Sequence, residues 1–405
     1  MTGSIRTVGV VGTGVIGASW TGLFLANGLK VLVSDPAPNA EEKLVAYLNS
    51  IWPTLQEIGL AQNASLANYR FVGASLEAHY GELDFVQENA PERLGLKTKL
   101  VGEIDAGTRP DVIIASSSSG ITSSQFIGNC KHPERVLIGH PFNPPHLMPL
   151  VSTNSEEFVG TGLSLRRVRA SRHFEASGML ILSLSSRSCP QSVSSQWPQP
   201  SALSSSFELC VADKLPCFRF LYSGPEVGQD VLGQKLISTP IAFSTTSAEN
   251  VRITIDFYKS LGKRPVLVKK EVPGFAANRL QAGLCAEAYS LVKNGVLSAE
   301  DVDACVTSSL GPRWALTGPY MSNISGGGGG KDGFQHMMRH LGPGIQIWLH
   351  DMRANEYDFS EESLAICDAS VQEMLSHVDE KEVGKQRDEV LISLLKEKRG
   401  ASALV

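Results

Sequence analysis

The hydrophobic pattern of the chain changes character twice. Up to residue 151, short apolar runs alternate with longer amphipathic stretches. IRTVGVV, KVLVS, DVIIASS and VLIGH are too short for helices, and their apolar cores show little polar alternation. They read as strands buried on both faces, as in a parallel sheet. Further strands are expected near 70–74 and 83–87. Helices are expected over 39–59, over 91–106 with Pro91 in the first turn, and near 122–129. The alternation predicts a doubly wound α/β sheet. From 152 to 246 no period of 2 or 3.6 persists, and serine-rich pieces (SLSSRSC, SVSSQ, SALSSSF) dominate. Regularity returns at SAENVRITIDFYKSLG, an amphipathic helix with Ser247 as N-cap and Gly262 as stop. The strand RPVLVKK follows. The remainder is mostly helical, predicting an all-α C-terminal domain.

Composition narrows the class. The 405 residues suffice for two or three domains, and 42% hydrophobic with 19% charged residues is ordinary for a globular protein. A net charge of -5 gives no reason to expect nucleic acid or an anionic membrane as partner. No apolar run approaches the roughly 20 residues of a spanning helix. The first strand begins almost at once, so no signal or transit peptide is expected, and GASALV is not a peroxisomal or retention signal. Seven cysteines without CxxC spacing suggest neither zinc nor a disulfide framework, which fits a cytosolic home.

Gly12, Gly14 and Gly17 stand in G-x-G-x-x-G spacing between a strand and a helix, and the next strand ends on Asp35. In that context the spacing is a specific dinucleotide signal, whereas the glycines alone would suit many turns. Gly12 permits the turn, Gly14 the approach of a pyrophosphate, and Gly17 close packing of helix on strand. Asp35 suits ribose hydroxyls and repels a 2′-phosphate, so NAD is favoured over NADP. Ligands of such a sheet lie beyond the carboxyl ends of its strands. Glu88, the Ser119 loop and His140 all fall at that edge. Taken singly, each could be structural: a strand-end histidine, a polar serine loop. Gly326–Gly330 reads as a flexible loop, and His336 with His340 lack the further ligand a metal needs.

The stretches VGVVGTGVIG, FVQENAPERLGLKTKL, ASSSSGI, HPERVLIGHPFNPPHLMPLV, SLGKRPVLVKKEVPGFAANRLQ and GPRWALTGPY together resemble the 3-hydroxyacyl-CoA dehydrogenase family. The likeness is to its small-substrate branch, which includes L-gulonate 3-dehydrogenase and L-carnitine dehydrogenase. It covers residues 5–151 and about 247–400. It implies a catalytic His140, a substrate-binding Ser119, an active-site Asn278 and a Glu88 beside the cofactor. It also implies a C-terminal domain that forms a homodimer. Chemically, a histidine near neutrality suits removal of the hydroxyl proton while NAD takes the hydride. The implied domain map is 1–151 and 247–272 for NAD, and 273–405 for substrate and dimerisation.

The resemblance also exposes a gap. The family's strand after HPFNPPHLMPLV continues with an acid that orients the histidine. Here the position is Ser152. Residues 152–246 then interrupt the pattern, either as an inserted domain or, our expectation, as translated intron. Glu156 and Glu157 are the nearest possible substitutes, and an impaired enzyme is expected. CoA-binding members carry a Lys-rich hairpin after the second strand, whereas this chain has only Lys43 in the region 39–62. A small hydroxy acid is therefore expected, L-gulonate first and carnitine next, with Arg313 available for its carboxylate. A 3-hydroxyacyl-CoA dehydrogenase and a non-catalytic NAD-binding protein are the alternatives.

Overall fold

The computed structural model describes residues 5–154 and 246–404. Glu156, Glu157 and Cys189, Cys210 and Cys217 lie outside the described residues. The first half alternates β1 (Thr7–Val11), α1 (Val15–Ala26), β2 (Lys30–Ser34), α2 (Ala40–Ile58), β3 (Tyr69–Phe71), β4 (Phe85–Glu88), α3 (Leu94–Gly107), β5 (Ile113–Ser116), α4 (Ser123–Phe126), β6 (Val136–Pro141) and β7 (Leu150–Asn154). After the interruption come α5 (Ala248–Ser260) and β8 (Arg264–Val268). The helices α6 (Ala277–Lys293), α7 (Ala299–Cys305), α8 (Gly311–Gly326), α9 (Gly333–Ala354), α10 (Glu361–Leu375) and α11 (Glu380–Gly400) follow.

Among the described residues the strands form one sheet, ordered β3-β2-β1-β4-β5-β6-β7-β8. All neighbours are parallel except β6 and β7, which are antiparallel. The order reverses beside β1, the switch point where such sheets bind ligands. Period-2 alternation divides each strand between two cores. Val8, Val10, Ile113, Ala115 and Leu137 pack with Trp20, Phe24, Phe257 and Tyr258 on one face. Val11, Val86, Ile114, Val136 and Ile138 pack with Val101, Ile104, Phe126 and Phe275 on the other. Each fully buried large apolar side chain contributes roughly 1.5–3 kcal/mol, and the polar residues of β4, β5 and β6, Gln87, Glu88, Ser116 and His140, gather toward their carboxyl ends.

The expected fold class is present, with differences at element ends. Helix α3 begins at Leu94, so Pro91 precedes it rather than sitting in its first turn. The Glu92 side chain instead turns back to a neighbouring loop. Strand β7 runs on to Asn154 and does not stop at residue 151, because β8 pairs with it as far as Asn154↔Val268. Ser247 caps α5 as expected, accepting from Asn250 N at 3.1 Å, and Gly262 ends it at φ +75°. The Gly326–Gly330 run forms the turn between α8 and α9, with positive φ from Gly328 to Gly330. Among the described residues no group of side chains suits a metal, and no helix is long and apolar enough to cross a membrane.

Among the described residues two charged pairs are buried inside the sheet domain, Lys97 with Glu88 and Arg135 with Asp105. Arg135 and Asp105, with side chains 1% and 0% exposed, meet at 2.8 Å. The Arg135 guanidinium also donates to the carbonyls of Asp105 and Val112, and Asp105 accepts from Lys131 N and His132 N. Each polar atom is satisfied, but removal of one partner strands the other charge. We expect Asp105→Ala to lose about 3–5 kcal/mol, seen as a lower urea midpoint with an unchanged slope.

Candidate functional site

The cradle at the end of β1 is built from what glycine lacks. Gly12 adopts φ +87°, and its N–H donates to Ser34 O at 2.8 Å. A Cβ on Gly17 would lie 1.9 Å from Gly12 O, so only glycine lets α1 approach the turn this closely. A Cβ on Gly14 would meet nothing within 4 Å. That open space faces the start of α1, where no side chain caps the helix. Free N–H groups and the helix dipole there favour an anionic phosphate. The three glycines thus have three different physical tasks, and the cradle fits a dinucleotide.

Asp35 follows β2 on the same edge. Its Oδ2 accepts from Thr13 N (2.6 Å) and Thr13 Oγ1 (2.8 Å), and its Oδ1 from Ala37 N (2.8 Å). Burial pushes its pKa up, but the N–H groups of Ala37 and Thr13, the Thr13 hydroxyl and Lys43 outweigh this and hold it below the usual range. The carboxylate stays ionised beside the turn. Glu88 ends β4 with its side chain fully buried. Its carboxylate takes Lys97 Nζ at 2.9 and 3.0 Å, Ala90 N at 2.5 Å and the Ser116 hydroxyl. It anchors the loop from beneath.

His140 lies near the end of β6, 7% exposed, between the rings of Phe142 (5.2 Å) and Phe275 (5.8 Å). Its register partner on β7 is Ser152. His140 Nδ1 is buried and has no hydrogen-bond partner among the described residues. Burial lowers the imidazole pKa, partly offset by the charge of Glu92. Asn278, in the first turn of α6, donates from Nδ2 to Ser119 O at 2.9 Å. This bond joins positions 159 residues apart and brings the helical domain to the serine loop. The Ser119 side chain is exposed. Arg313 and Trp314 are exposed on α8, where Arg313 Nε donates to Ser309 O of the preceding turn (3.3 Å).

Sequence reasoning passed over several residues. Tyr258 Oη donates to Gln87 Oε1 (2.7 Å), Gln87 Nε2 to Ser117 Oγ (2.8 Å), and Ser117 Oγ to Asn89 Oδ1 (2.7 Å). This chain ties α5 to the ends of β4 and β5, and no periodicity marks it. Glu92 and Phe275 lay inside quoted motifs, but no role was assigned to either. A cavity of about 420 Å³ lies elsewhere, bordered by Leu23, His146, Lys263 and Arg399, and contains none of the site residues.

Comparison with known proteins gives a consistent picture. Residues 7–157 match the model described as 3-hydroxyacyl-CoA dehydrogenase, NAD binding domain. Residues 274–355 match the model for the C-terminal domain of the same enzymes. A 3-hydroxyacyl-CoA dehydrogenase of Gibberella moniliformis is 38% identical over 405 residues, covering 100% of this chain and 98% of that protein. An L-carnitine dehydrogenase of Pseudomonas aeruginosa is 35% identical over 347 residues, covering 85% of this chain and 80% of that protein. The fold resembles that of 5-formyl-3-hydroxy-2-methylpyridine 4-carboxylic acid 5-dehydrogenase, an NAD-dependent dismutase. The TM-score is 0.63 at 21% identity, with 98% of this chain and 99% of that one covered.

The distinct tasks of the glycines can be separated by experiment. Gly14→Ala should leave the unfolding free energy within about 0.5 kcal/mol of the parent while weakening NAD binding roughly tenfold. Gly17→Ala should destabilise the fold by about 1–3 kcal/mol. Denaturant titration and NAD binding calorimetry on both variants check the pair of outcomes.

Proposed function

The chain belongs to the 3-hydroxyacyl-CoA dehydrogenase family and uses NAD, and from that premise we propose that it oxidises the 3-hydroxyl of a small hydroxy acid with His140 as proton acceptor. The observation that carries the reading is the Asn278–Ser119 hydrogen bond. It holds the helical domain against the sheet edge that also bears the Gly12–Gly17 turn and His140. Gly12, Gly14 and Asp35 would hold NAD, which supplies the hydride acceptor when bound.

The chain's own residues handle the proton. With Nδ1 buried, Nε2 is the nitrogen available to the hydroxyl. A neutral imidazole that accepts at Nε2 carries its hydrogen at Nδ1. There the N–H meets no acceptor, which costs about 1–3 kcal/mol and more once the ring is charged. Ser119 and Asn278 are suited to steady the reacting oxygen. Such a base is poorly supported, which fits an impaired enzyme.

The substrate reading rests on charge. Helix α2 carries Glu41, Glu42 and Glu57 against the single Lys43, a poor surface for the phosphates of CoA. Several relatives are named L-carnitine dehydrogenase, which moves L-carnitine ahead of L-gulonate as our proposed substrate. Trp314, 41% exposed, could receive a quaternary ammonium and Arg313 a carboxylate. The Gibberella relative supports acyl-CoA as the second reading. The bare Nδ1 supports a non-catalytic protein as the third. Exposed Leu280, Tyr320, Ile347 and Trp348 on the C-terminal helices support a homodimer. The four described cysteines are free thiols, in keeping with a cytoplasmic setting. We retain the proposal that residues 152–246 are translated intron; transcript reads running through those codons would refute it.

Turnover decides among these readings. NADH formation should be faster with L-carnitine than with L-gulonate, and acetoacetyl-CoA should be a poor substrate in reverse. His140→Gln should lower kcat by about 10²–10⁴. Oxidation needs neutral His140, so the rate should rise with pH, with its acid limb below the ordinary histidine value of about 6.5 because burial disfavours the charged ring. Directly opposed residues of an antiparallel pair share a face, so Ser152→Glu should reach Nδ1 and raise kcat, by up to about 10⁴ if the pairing is complete. An unchanged kcat in Ser152→Glu would contradict the account of the impaired base.

A further inference from the structure

Glu92 lies in the loop between β4 and α3, with its side chain 37% exposed. Its Oε1 accepts from Ser118 Oγ (2.6 Å) and from three successive backbone N–H groups: Ser119 (3.1 Å), Gly120 (2.9 Å) and Ile121 (3.0 Å). Consecutive N–H groups converging on one point form an anion-binding nest, and here the anion comes from the chain itself. On the other side Oε2 stands 3.7 Å from Lys97 Nζ, which is itself held by Glu88. The turn that Glu92 gathers is the one whose Ser119 carbonyl receives Asn278 Nδ2. The carboxylate is thus linked to the catalytic edge through hydrogen bonds at each step.

We propose that Glu92 is a positioning residue of the active site: it gathers the Ser118–Ile121 turn and so presents the Ser119 carbonyl to Asn278. This deepens the dehydrogenase reading and rests on it for the catalytic consequence. His140 packs against Phe142 and Phe275 and stands opposite Ser152. Burial lowers its pKa, and the Glu92 charge opposes that shift. Lys97, behind Glu92, is itself held by the Glu88 carboxylate. One carboxylate oxygen therefore orders the whole turn.

Two variants test the reach of the carboxylate. Glu92→Gln keeps an acceptor oxygen at the same distance; Glu92→Asp withdraws it from the nest. In Glu92→Asp the amides of Ser119, Gly120 and Ile121 should exchange with solvent faster than in the parent, and kcat should fall roughly tenfold with KM for NAD unchanged. Glu92→Gln should keep most of the exchange protection and most of kcat. Parent-like exchange at these three amides in Glu92→Asp overturns the proposal, and so does a parent-like kcat there. Should Glu92→Gln not fold, Glu92→Asp carries the test alone. If the parent protein oxidises no hydroxy acid, amide exchange still decides the role of Glu92, and only the substrate reading falls.

Discussion

The approach of α1 to the end of β1 governs the rest of the architecture. The Gly17 backbone sits where any Cβ would overlap the Gly12 carbonyl, so the helix start is pressed against the strand end. That contact aims the uncapped N-terminus of α1 at the space in front of Gly14. It also buries Trp20 and Phe24 in the face shared with Phe257 and Tyr258. A helix standing one methyl group further out would misplace both the phosphate cradle and this aromatic stack. Packing and cofactor recognition therefore depend on the same absent side chain.

A second constraint keeps the other strand ends in line. The chain from Tyr258 through Gln87 and Ser117 to Asn89 runs through a largely buried region. Asn89 Nδ2 closes it onto Val11 O, next to the glycine turn. Unsatisfied polar groups in such a place are costly, so each member restrains its neighbours. Helix α5, which follows the interrupted segment, thereby contributes to the geometry of the cofactor edge. A Cβ on Gly139 would meet the Tyr258 hydroxyl at 2.1 Å, so the strand that carries His140 is set by the same tyrosine.

His140 stands out against this well-satisfied background. The sheet gives it a fixed place, two aromatic neighbours and a buried Nδ1, but no acceptor for that nitrogen. Burial without a partner weakens a base, because the protonated ring loses water and gains little in return. Ser152, directly across the antiparallel pair, is too short and carries no charge. The gap is local: Ser152 on β7 stands opposite an imidazole whose Nδ1 has no partner among the described residues, while the elements around it remain in order.

The sequence by itself determined the elements that depend on neighbouring residues. Buried strands appear as apolar runs, Ser247 as a cap and Gly12, Gly14 and Gly17 as a spaced set, because each effect acts within a few positions. The resemblance added His140, Ser119 and Asn278, and located the missing acid at Ser152. Tertiary structure alone decided the β6–β7 register that puts Ser152 opposite His140, the 159-residue reach from Asn278 to Ser119, and the capture of three backbone N–H groups by Glu92. It also turned Glu88 inward to Lys97 and started α3 after Pro91. These arrangements join residues far apart along the chain, and no local period or propensity encodes which distant donor a carboxylate will meet.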